Sequence, residues 1–146
     1  MSRTAIALML IAIPAPAAAT PLCTALEQVA KAAMEAEPFK SIQGKPIKDS
    51  NDLRATVALP GFTDCRITPV LTDYSCYATG LDAAKAIAME ASVKADLEAC
   101  LGAKMVRDND ISLNPWALRE RPGSYPVMTL NKVGDAMVKF TFRVKR

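Results

Sequence analysis

The sequence predicts an α+β domain, two helices packed on an antiparallel sheet in the order α-β-β(-β)-α-β-β and braced by disulfides. Three observations carry that prediction. Two segments place apolar residues at three-and-four spacing, several others alternate apolar with polar residues, and all four cysteines fall beyond an export-signal pattern.

That pattern occupies residues 1–19. A short amino end with one charge, Arg3, leads into the apolar run Ala5 to Ile13 and then the small-residue stretch Pro14 to Ala19. The run is nine residues long, whereas a bilayer-spanning helix needs roughly 20, and Pro14 and Pro16 would break any longer one. Cleavage is expected after Ala19, with Ala17 a second candidate. Lipid attachment at Cys23 is disfavoured because Thr20-Pro21-Leu22 supplies the wrong residue types before it. The expectation is a single domain over residues 20–146, periplasmic or secreted, with no permanent membrane anchor.

The elements follow in order. Leu22, Leu26, Val29, Ala30, Ala33 and Met34 form one buried stripe of a helix over Leu22 to Glu37, ended by Pro38. Ser41 to Asp52 reads as a loop, since Gly44, Pro46 and Lys48-Asp49-Ser50-Asn51-Asp52 favour turns. Leu53, Ala55, Val57 and Leu59 alternate with Arg54, Thr56 and Ala58 as a half-buried strand, closed by Pro60-Gly61. Two β-like runs, Cys65 to Thr68 and Tyr74 to Tyr77, flank a Pro-Val-Leu-Thr-Asp turn. Thr79-Gly80-Leu81-Asp82 resembles a capping box before a helix that runs to Leu101. That helix puts Ala86, Met89, Val93, Leu97 and Cys100 on one face. Residues 108–123 carry no readable pattern. Val138, Phe140, Phe142 and Val144 then alternate with charged and polar residues, and Tyr125 to Leu130 is their hairpin partner across Asn131 to Asp135.

An even number of exported cysteines fits two disulfides. Four cysteines allow three pairings, and the element layout favours one: Cys65 with Cys76 across the hairpin, and Cys23 with Cys100 between the start of one helix and the end of another. A redox-active pair or metal site would call for a Cys-x-x-Cys or a histidine, and the chain has neither.

With no histidine, Ser-His-Asp, Cys-His and His-rich metal chemistry are excluded. No cofactor and no metal site is expected. Asp108-Asn109-Asp110 offers two close carboxylates or the start of a calcium loop, but the glycine and distal glutamate of an EF-hand do not follow, and a turn explains the triplet. Without Arg3 the formal charge is 17 minus 15, or +2, with both signs scattered, which argues against a nucleic-acid partner. Lys139, Arg143, Lys145 and Arg146 would suit an anionic surface or an acidic partner, but a solvated strand face is the favoured explanation. Trp116 and Tyr125 are the candidate partner-binding residues, because large rigid aromatics bury much area at small entropic cost.

The expectation is an exported, non-catalytic protein of a bacterial-type envelope that binds another envelope or secreted protein, as an inhibitor, an immunity-type protein or an assembly accessory. The alternatives are a small-ligand carrier, which needs an internal pocket, and a histidine-free enzyme, which needs two converging carboxylates.

Overall fold

The computed structural model describes residues 20–101, 105–106, 117–119 and 127–144. Helix α1 spans Pro21–Ala33. Thr20 caps it, its hydroxyl accepting from the Cys23 amide at 3.3 Å, and Pro21 sits in the first turn, where an N–H would have no helical partner. Leu22, Leu26, Val29, Ala32 and Ala33 form its buried face.

The helix stops four residues before Glu37, the end that its spacing predicts. Pro38 disfavours helical backbone at the residue before it, and the chain must reverse to bring Phe39 inward. Phe39 takes a left-handed backbone, φ 64, and its amide donates to Ala32 O at 2.7 Å. Met34, expected on the buried stripe, is consequently 70% exposed.

After a 3-10 turn at Lys40–Ile42 come strands β1 (Gln43–Pro46) and β2 (Leu53–Ala55), so part of the expected loop is a strand. Gly44 permits their approach: a Cβ there would stand 2.8 Å from Arg54 O. The predicted strand through Leu59 keeps its pairing only to Ala55. Beyond it, Thr56 N and Oγ1 both donate to Ile42 O, and Val57 O accepts from the Tyr74 hydroxyl at 2.9 Å. Those bonds pull the chain off the sheet and drop Leu59 into the core, where it is fully buried.

Strands β3 (Asp64–Thr68) and β4 (Asp73–Ala78) form the expected hairpin, with Cys65 directly opposite Cys76. Helix α2 follows at Ala83–Leu101. Its cap is Asp82, whose Oδ1 accepts from the Lys85 amide at 2.8 Å, and not the Thr79 box, which lies too far upstream of the first turn. Ala86, Val93 and Leu97 are buried and Met89 packs partly against them.

Strand β5 (Met105–Val106) precedes the patternless stretch and β6 (Ala117–Arg119) falls within it. Both are too short to show a period. Strands β7 (Val127–Val133) and β8 (Met137–Arg143) form a tighter hairpin than expected, since β7 continues past Asn131 to Val133 and the turn needs only Gly134, at φ 60, with Asp135 and Ala136. The Lys132 amine holds that turn through Gly134 O at 2.7 Å and Asp135 Oδ1 at 3.0 Å.

Among the described residues all pairings are antiparallel, in one eight-stranded sheet of order β1-β2-β3-β4-β8-β7-β6-β5. The α+β architecture with two disulfides stands as predicted, with more strands. Cys65, Ile67, Tyr74, Cys76, Phe140 and Phe142 share one core with the buried faces of α1 and α2. Phe39 lies 6.2 Å, between ring centroids, from both Tyr74 and Phe142.

Two outcomes follow for stability. Phe39→Ala removes a fully buried ring while keeping the left-handed backbone, and is expected to destabilise by about 3–5 kcal/mol, read from urea unfolding under oxidising conditions. Asp82 is held below its ordinary carboxylate range by the hydrogen bonds it accepts from Lys85. A depressed pKa stabilises above the unfolded value and loses that effect as pH falls through the folded one. The stability difference between wild type and Asp82→Ala should therefore be present at pH 7 and shrink as the pH falls below the ordinary carboxylate value of 3.8, while Asp82→Asn, which keeps an acceptor, varies less. A difference unchanged with pH would contradict the cap.

Candidate functional site

Strand alternation puts a second set of side chains on the sheet face away from the core. Three cross-strand rows result: Asp64, Tyr77 and Lys139; Arg66, Ser75 and Thr141; Thr68, Asp73 and Arg143. Arg66 donates from Nε to Asp64 Oδ2 at 2.8 Å and lies 3.8 Å from Asp52. Arg143 donates from Nε to Asp73 Oδ1 at 2.6 Å and from its second arm to Oδ2. Tyr77 takes Arg66 and Lys139 over its ring, at 5.6 and 5.3 Å, an arrangement that favours cations electrostatically.

Ser75 and Thr141 are buried under these long side chains and share a hydrogen bond at 3.3 Å. Of the basic stripe read in the sequence, Lys139 is on an aromatic ring and Arg143 is on a buried carboxylate; Lys145 and Arg146 lie outside the described residues. This face is a self-neutralised network. Arg66 and Arg143 are each paired with a carboxylate on this face, while Asp64 Oδ1 is buried without a hydrogen-bond partner.

The disulfides pair Cys65 with Cys76 and Cys23 with Cys100, with Cα separations of 4.0 and 5.4 Å. The first lies inside the core, where the Cys76 sulfur is 3.0 Å from the Tyr74 hydroxyl. Burial pushes the Tyr74 phenol far above its usual range, so it remains a neutral donor to Val57 O.

The hairpin that this bridge closes ends in an unusual tip. Leu71 N donates to Thr68 O and Thr72 N to Pro69 O, both at 3.2 Å, winding Pro69 to Thr72 into a closed turn. Thr72 has φ 53, a conformation that is an outlier for a β-branched residue. It is held there by neighbours: its hydroxyl lies 2.6 Å from Val144 O and 2.7 Å from Leu71 O, and its own carbonyl accepts from Val144 N at 3.1 Å. Thr72 and Asp73 are buried beneath the turn, yet Val70 is 83% exposed and Leu71 56%.

A single exposed aliphatic residue needs no explanation. Two adjacent ones, at the summit of a strained turn that is pinned to another strand, are different. Backbone strain persists only where the surroundings over-determine it, and it clusters at active sites, ligand clamps and switch regions. The signal available in the sequence was a turn whose centre is Val-Leu where glycine and polar residues are usual.

Trp116 and Tyr125 lie outside the described residues, as do Asp108 and Asp110. Among the described residues, no group of three or more potential ligands is placed to hold a metal ion. The described carboxylates moved from their ordinary range, Glu35 and Asp82, are both shifted downward by hydrogen bonds. No described helix is long and apolar enough to cross a membrane.

The Thr72 hydroxyl is the part of the tip open to direct test. Thr72→Ala is expected to lower stability by about 1–2 kcal/mol by stranding Val144 O, whereas Thr72→Ser keeps the bond and stays near wild type. Equal stabilities for all three proteins would show that the pin is inactive.

Comparison with protein-family models, with curated proteins and with solved structures gave no match for this chain.

Proposed function

We propose that this chain is exported, loses residues 1–19, and serves in the periplasm or outside the cell as a non-catalytic domain that binds another protein. Inhibitor, immunity-type and assembly-accessory roles all fit that description. The observation that carries the reading is the tip of the β3–β4 hairpin, where Val70 and Leu71 face water on a turn pinned through Thr72.

Hot spots in protein interfaces are few, central and desolvated on binding, and rigid anchors lose little entropy there. Val70 and Leu71 meet the requirement of rigidity, since the fold has already fixed their backbone. The shape of the tip also selects a mode of binding. Its two hydrogen bonds from residue i+3 back to residue i close the turn, so it enters a partner as a compact wedge in an apolar pocket and not as an added strand. That geometry favours a shape-complementary partner over a protease cleft that reads extended chain.

The test is affinity capture by the mature, oxidised protein from an extract of its own cell envelope, beside the Val70→Asp, Leu71→Asp double variant. A reproducible co-purifying protein is expected, with recovery on the variant down at least about tenfold, the loss of one to two hot-spot contacts. Equal recovery on both would remove the tip from the interface; no reproducible partner would remove the binding role. The intact mass of the captured-on protein should be that of a chain beginning at Thr20, and a mass retaining residues 1–19 would contradict the export step.

A further inference from the structure

The two disulfides differ in accessibility and in electrostatic setting. Cys65 and Cys76 are 7% and 0% exposed, within the core. Cys23 and Cys100 are only half-buried, and their bridge joins the start of α1 to the end of α2. Thiol exchange requires in-line access of a thiolate to one sulfur, and the first pair denies it.

The two sulfurs of the accessible pair are not equivalent. Cys23 is the third residue of α1, and Cys100 is the last but one of α2. A helix N-terminus carries partial positive charge and stabilises a thiolate, while a C-terminus carries partial negative charge and disfavours one. The Thr20 hydroxyl adds to the asymmetry, since it donates to Cys23 Sγ at 3.1 Å and stands 3.9 Å from Cys100 Sγ. The sulfur better able to leave as an anion is Cys23, and exchange is faster when the leaving thiol has the lower pKa.

We propose that Cys23–Cys100 is the thiol-exchange site of this protein, opened by thiol reductants through attack on Cys100 Sγ with Cys23 as leaving thiolate, while Cys65–Cys76 remains oxidised. In the first step the reductant's thiolate forms a bond to Cys100 Sγ, the Cys23–Cys100 bond breaks, and its electron pair stays on Cys23. A second reductant thiol then displaces Cys100 as a thiolate; the protein disulfide gains two electrons and the reductant becomes a disulfide. The start of α1 is thereby untied from the end of α2, and the hairpin that carries Val70 and Leu71 keeps its own bridge. This inference does not depend on the binding role.

The experiment uses the mature oxidised protein with reduced glutathione as the probe, acid-quenched at short times, alkylated and mapped by peptide mass. The expected first product carries glutathione on Cys100 and the alkyl group on Cys23, exceeding the reverse adduct by about fivefold or more, as two opposed helix ends and one hydroxyl would give. Thr20→Ala should narrow the ratio and Thr20→Ser restore it, because the one hydroxyl both caps α1 and donates to Cys23 Sγ. Equal adducts, an excess on Cys23, first labelling of Cys65 or Cys76, or no opening until the protein unfolds would each overturn the proposal.

Discussion

Strands β4 and β8 pair over six residues, Asp73 to Ala78 against Arg143 to Val138, and the rest of the molecule is arranged about that pairing. Its core face presents Tyr74, Cys76, Phe140 and Phe142 without exposure, and Phe39 from the reversal after α1 closes on two of those rings. Its other face carries the buried Asp73 with Arg143 and the Ser75–Thr141 bond. An antiparallel pair buried on one side and hydrogen-bonded side chain to side chain on the other has little freedom to slip, because a shift by one residue would exchange the two faces.

The tip inherits its rigidity from this frame. Thr72 immediately precedes β4, and Val144 immediately follows β8, so the hydrogen bonds between them extend the same ladder by one step beyond the paired strands. The Cys65–Cys76 bridge ties the outer strand of the hairpin to the frame from inside the core. Strain at Thr72 is tolerated because the two strands beneath it cannot yield. The periphery is built differently: the Cys23–Cys100 bridge joins helix ends, lies near the surface and is not part of the aromatic core.

How much of this could be read in the sequence depended on the length of each pattern. Val138 to Val144 and Cys65 to Tyr77 alternate long enough to reveal strands, and the helix positions of Cys23 and Cys100 brought those two together. Elements shaped by tertiary contacts were not legible. Helix α1 ends early because Phe39 must turn inward, β2 loses its last residues to Ile42 and Tyr74, and the α2 cap falls on Asp82 only because the helix begins at Ala83. The tip was read as an ordinary turn, since nothing local in Pro69-Val70-Leu71-Thr72 shows that Thr72 is pinned by a residue 72 positions later. The candidate aromatics Trp116 and Tyr125 lie outside the described residues, and the exposed pair at the tip is aliphatic.

The claim on which the account rests is that the exposed tip is preorganised by the β4–β8 frame. Amide hydrogen exchange on the native, oxidised protein measures this directly, because protection reports the free energy of local opening. The account predicts slowest exchange along β4 and β8, with the Leu71, Thr72 and Val144 amides protected well beyond an open loop despite the exposure of Val70 and Leu71. Exchange of Leu71 and Thr72 at the rate of an unstructured peptide, beside a protected β4, would show that the tip is not held by the frame and would contradict it.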